Sequence, residues 1–212
     1  MPRNVLSIHM SIFNKIFNKA KTAEEVADRV VHEVVKDAWI HMRDGQFKQW
    51  MEVDAMSEDD KAGLGIELEL AGLAYAYVLL ETLEQNMEHP ITQESFRSVR
   101  NGLLTAFTKH VRRGQTGGEL HEQLVQVTAM RCKELRNGQQ RHKAELNTKD
   151  LKRNFWSAIC AENTLNHLVG NVPPQDINKE DLFDHLARWN MRLGNNIQRA
   201  LLDGGKVTMP SK

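Results

Sequence analysis

The chain has 212 residues, 41% of them hydrophobic and 26% charged, with 28 basic and 28 acidic side chains balancing to zero. That size and composition fit one ordinary globular domain and exclude a low-complexity or collagen-like chain. No apolar run approaches the roughly 20 residues of a membrane span, and two cysteines 28 residues apart form neither a CxxC nor a zinc spacing. With no secretory leader recognisable, a reducing cytosol is the expected setting.

The neutral total hides a sorted charge. Residues 52–96 carry eleven acids and one lysine, and residues 97–153 carry thirteen Lys/Arg and five acids. Oppositely charged blocks either pair with each other or offer two faces to partners of opposite sign.

In chain order, residues 5–20 read as an amphipathic helix. Ile8, Ile12, Phe13, Ile16 and Phe17 share one side with Val5, Leu6 and Ala20, and no acid precedes Glu24. Its apolar arc of about 200° exceeds what docking on one core requires, so these five residues are candidates for an interface. A transit peptide or a membrane-surface helix has the same appearance; the packed or interfacial helix is the preferred expectation. Thr22 and Glu25 form a capping box that opens a second helix, ending near Gly45, whose buried side is Val26, Val30, Val34, Ala38 and Trp39. Phe47, Trp50 and Met51 follow as a short capping element. Ser57 and the acids after it start a helix over about 58–88, which should be central because Leu70 to Leu80 is apolar nearly all round. Ile66-Glu-Leu-Glu-Leu70 alternates with the period of a strand, but the apolar run after it and the lack of a partner strand favour helix.

The spacing then predicts a helix from Thr92 to about Arg113, burying Phe96, Val99, Leu103, Phe107 and Val111. A glycine-rich turn follows at 114–118, and a helix from Glu119 to about Arg136 should pair with its predecessor as an antiparallel hairpin. Further helices span about 148–170, capped at Thr148, and about 179–203. The tail after Gly204 is expected to be disordered. The expected fold is all-α, a single-domain irregular bundle of six or seven helices. It divides into the amphipathic segment 1–21, the bundle 22–203 and the tail 204–212.

Polar residues on the apolar stripes are the candidates for chemistry. Arg100 lies among Phe96, Leu103 and Phe107, and Arg131 among Leu124, Val127 and Leu135; a hairpin turning near residue 115.5 would set the two arginines level. Glu162 lies among Leu151, Phe155, Ala158 and Val169, with Asn166 one turn on, and Glu67 and Glu69 interrupt the start of the central helix. Unpaired buried charge is very costly, so these six form either an internal ion network or a pocket in which two guanidinium forks hold an anion. Lys109, Arg112, Arg113, Lys133, Arg136, Arg141 and Lys143 supply the alternative of a nucleic-acid interface. However, the charges scatter round the helical wheel and no outward aromatics interleave with them.

Nine histidines include the i,i+4 pairs Asp28/His32, Asp37/His41 and Asp181/His185, which read as surface contacts. No metal, cofactor or catalytic residue is expected. The sequence points to a non-catalytic interaction or regulatory protein that acts through helical surfaces and self-associates or binds a protein partner. A nucleic-acid-associated protein and a ligand-binding bundle or enzyme around Arg100, Arg131 and Glu162 are the alternatives.

Overall fold

The computed structural model describes residues 22–88, 90–111, 118–141, 152–171 and 179–203. The amphipathic segment 1–21, the turn at 114–117, the cap at Thr148 and the tail 204–212 lie outside the described residues. Within them the chain is all-α: α1 Ala23–Met42, α2 Gly45–Trp50, a 3-10 turn Val53–Ala55, α3 Glu58–Gln85, α4 Pro90–Val111, α5 Gly118–Arg141, α6 Lys152–Asn171 and α7 Lys179–Asp203.

The starts of the first helices are written locally. The Thr22 hydroxyl accepts the Glu25 amide at 3.1 Å while the Glu25 carboxylate accepts the Thr22 amide at 2.9 Å, the reciprocal capping box. One Asp44 oxygen caps α2 through the amides of Gln46 and Phe47, and the Ser57 hydroxyl caps α3 through the Asp60 amide. Glu52, at φ 50°, turns the chain left-handed between α2 and the 3-10 turn. α4 begins at Pro90, two residues before the expected Thr92, because proline is tolerated where the amide would be unsatisfied anyway. α5 runs to Arg141, beyond the expected Arg136, so part of the polar stretch after it is helix.

α3 is the hub: α1, α4, α5, α6 and α7 all pack on it. Its segment Ile66–Leu70 is helical, since a helix surrounded by others needs no alternation to bury both sides. α3 is long and apolar enough to cross a bilayer, and 67% of that apolar window is buried against neighbouring helices, as in a core helix. Close approach is achieved where side chains are missing. A Cβ on Gly72 would stand 2.9 Å from the Val34 side chain and 3.2 Å from that of Leu193, so α1, α3 and α7 meet at this residue. Gly138 admits Ile159 where α5 meets α6.

Candidate functional site

Part of the sorted charge is paired within the bundle. α4 and α5 each pack more extensively on α3 than on each other, and they meet its glutamates with arginines. Glu84 pairs with Arg97 at 2.9 Å and Arg100 at 3.1 Å. Glu81 pairs with Arg136 at 2.8 Å and Arg100 at 3.8 Å, and Glu67 pairs with the buried Arg131. Lys109 of α4 pairs with Glu24 of α1, which holds that carboxyl below its usual range.

The structure therefore does not set Arg100 and Arg131 level. Their carboxylate partners Glu81 and Glu67 lie fourteen residues apart on α3, roughly 21 Å along the helix. Arg136 is the residue that shares Glu81 with Arg100. The expectation assumed that α4 and α5 zip together from their turn, whereas both lie along α3. Glu162 is only partly buried on α6, and the described ion pairs of both arginines go to α3 instead. Of the six candidates, only Glu67 and Arg131 form a pair.

Around that pair the space lined by Glu67, Ala71, Arg131, Asn163, Thr164, His167 and Leu168 is too small for a water molecule. A two-arginine anion pocket is not formed there. One turn away, Glu134, Asn137, Gln140 and Arg141 of α5 face Asn163, Asn166 and His167 of α6 across a cleft of about 570 Å³. Within it, Glu134 Oε2 accepts the Asn163 amide at 3.3 Å and lies 2.7 Å from His167 Nε2. This cleft contains Asn166, the sixth candidate, on an exposed turn of α6. Its amides and its carboxylate–imidazole pair can hydrogen-bond a polar group. No Ser, Cys or Thr nucleophile is among its lining residues.

The remaining basic candidates are dispersed. Lys109 and Arg136 are committed to Glu24 and Glu81. Lys133 and Arg141 are exposed, and Arg112, Arg113 and Lys143 lie outside the described residues. So do the interface candidates Ile8, Ile12, Phe13, Ile16 and Phe17.

Three large apolar side chains that the sequence reading did not place at the surface are exposed on α1 and near the start of α3. Trp39, expected in the core, is 48% exposed; Ile40 beside it is 48% exposed and Ile66 of α3 is 45% exposed. Trp39 stands at the edge of the apolar stripe and is half exposed, near enough to buried Glu69 for its indole to favour that carboxylate's charged form. Ile66 precedes Glu69 by one helical turn on the same side of α3. Burial raises the Glu69 carboxyl to about 7 against the opposing effect of the indole. The usable signal was Glu69 itself, an acid within an apolar stretch.

A second cluster overturns the reading of Asp37, His41 and His185 as surface contacts. Asp37 and His41 are each 1% exposed. They fall beside Val34 and Ala38 on the wheel, a position from which their burial was readable. Arg192 Nε reaches Asp37 Oδ1 at 3.0 Å, and the His41 ring packs on Phe47, His185 and Trp189 with centroids 4.3, 4.8 and 5.0 Å away. Burial lowers His41 well below the usual histidine range and raises Asp37, the latter against the pull of Arg192. Among the described residues no group of three His, Cys, Asp or Glu is arranged to hold a metal. Cys132 and Cys160 are buried free thiols, with Cys132 pushed up to about 11 and Cys160 well above its usual value by burial. The chain matches no family model, no curated protein and no solved structure, so geometry alone carries the functional reading.

Proposed function

We propose that this protein is a non-catalytic interaction protein that works by presenting helical surfaces, and that its working surface is the Trp39–Ile40–Ile66 face. The observation that carries this reading is the exposure, at 45–48%, of three large apolar side chains, Trp39 and Ile40 on α1 and Ile66 near the start of α3, on the outside of a well-packed core. The occupant that fits is a second copy of the chain. On the same exposed side, α1 offers Lys36 and Arg43 between Trp39 and Ile40 around the helix axis, and the first turn of α3 offers exposed Glu58, Asp59 and Asp60. A two-fold pairing sets the basic edge of one copy against the acidic edge of the other, because an isologous contact joins a surface to itself in reverse. The zero net charge adds no global repulsion between copies.

The experiment is sedimentation velocity on the full chain and on a Trp39→Ser, Ile66→Ser double variant. The wild-type chain is expected to sediment as a concentration-dependent dimer and the variant as a monomer, with its helical circular dichroism retained. A variant that associates as strongly as wild type removes this face from the proposal. Binding to a protein other than itself, with the wild type monomeric, replaces the second copy with that partner.

A further inference from the structure

We infer that the cleft between α5 and α6 is a binding site for a short peptide with free ends, held extended by its backbone and its two terminal charges. The site uses none of the residues of the face proposed above and stands or falls without it. The cleft holds about 570 Å³, within the roughly 300–1,000 Å³ of small-ligand sites, and the side chains that line it are all polar. Glu134 is its anionic end. A carboxylate only accepts, so Asn163 and His167 donate to Glu134 Oε2, at 3.3 and 2.7 Å, and hold that side chain in place. Both bonds go to Oε2, which leaves Oε1 to accept from a ligand.

Arg141 is the cationic end. It follows Glu134 by two turns of α5, so the two stand on one side of that helix, about 10 Å apart. Asn137 and Gln140, between them on α5, and Asn166 of α6 line the same cleft and are exposed. Each carboxamide carries N–H donors and a carbonyl acceptor in one plane. In an extended chain the N–H and C=O of one residue point to the same side, as when paired strands exchange two bonds, so one carboxamide meets both groups at once. An extended peptide advances about 3.3–3.6 Å per residue, so roughly three residues bring an ammonium to Glu134 and a carboxylate to Arg141. Other ligand classes fit worse. A nucleobase stacks on aromatic side chains, and none is among the lining residues, while a lone anion at Arg141 shares the cleft with Glu134. The polar lining suits small or polar peptide side chains. With no nucleophile among the lining residues, the cleft holds such a peptide and does not cleave it.

The test is titration of the isotopically labelled full chain with triglycine, followed by proton–nitrogen correlation spectra, beside triglycine blocked at both ends and beside acetate. Triglycine is expected to bind saturably and to move the side-chain amide signals of Asn137, Gln140 and Asn166. Blocking both ends is expected to weaken binding about tenfold, the loss of two solvent-exposed charge contacts. Arg141→Gln, at an exposed position, is expected to keep the helical circular dichroism, to weaken triglycine about threefold and to leave triglycine amide unchanged. Glu134→Gln is expected to weaken triglycine by a similar factor and to leave acetyl-triglycine unchanged. An absence of shifts with triglycine in the tens of millimolar overturns the inference, as does a doubly blocked peptide that binds as tightly as the free one. Acetate that reproduces the shifts at the same affinity reduces the cleft to an anion site and overturns it too. Arg141→Gln that weakens the acid and the amide equally overturns the assignment of the carboxylate end. None of these outcomes bears on the Trp39–Ile40–Ile66 face, which the sedimentation experiment tests separately.

Discussion

At the scale of single residues, the Glu67–Arg131 pair shows how a polar group is tolerated on an apolar stripe. Arg131 is buried and Glu67 is its carboxylate partner, while burial lowers the Arg131 guanidinium from its usual range. Removing one member strands the other; replacing both with apolar residues of similar volume does not. Glu67→Ala is therefore expected to destabilise the fold by about 3 kcal/mol, and Glu67→Leu with Arg131→Met to cost close to nothing. Urea unfolding of the singles and the double measures this. The opposite pattern, a harmless Glu67→Ala, would show that water reaches Arg131 despite its burial. The cysteines give a second residue-scale expectation. Both thiols are buried and raised, so a thiol reagent should modify neither in the folded chain within minutes and both in denaturant.

At the scale of elements, each capped helix start rests on a few atoms. The Thr22 capping box and the Ser57 cap each satisfy backbone amides that have no partner inside the helix. Thr22→Ala and Ser57→Ala are each expected to cost about 1 kcal/mol, read by urea unfolding, with the association of the chain unchanged. The helices themselves were legible because caps and 3.6-residue periodicity are local signals. The position of Trp39 was less legible. It lies at the margin of the stripe on α1, where the crossing with α3 decides between core and surface. That crossing is set at Gly72, where Val34 of α1 and Leu193 of α7 both enter the space a side chain would fill.

At the scale of the whole molecule, two buried groups pull stability in opposite directions with pH. His41, lowered well below 6.5, binds fewer protons folded than unfolded, so its contribution is lost as pH falls below about 6.5. Glu69, raised from 4.5 to about 7, binds more protons folded than unfolded, so stability drains away as pH rises from 4.5 through 7. Glu69→Gln is expected to melt a few degrees above wild type at pH 8 and to coincide with it below pH 4.5, measured at a concentration where the chain is monomeric. Equal melting at pH 8 would mean that the carboxylate is already solvated. The sorted charge also belongs to this scale. Glu81 and Glu84 of the acidic block hold Arg97, Arg100 and Arg136 of the basic block, so the opposite blocks meet each other inside one bundle.

The sequence by itself determined the all-α class, the helix starts at Thr22 and Ser57, the central place of α3 and the existence of two charge blocks. Each follows from composition, from spacing within one helix, or from caps that act over three or four residues. Only the tertiary structure decided that Arg100 meets Glu81 and Glu84 while Arg131 meets Glu67, that Asp37 and His41 lie deep beside α7, and that Trp39 is half exposed instead of buried. The physical reason is that a wheel assigns a side chain to a direction around its own axis. Its partner depends on how far a neighbouring helix has slid and rotated, and those displacements arise from contacts between residues as distant in sequence as Asp37 and Arg192.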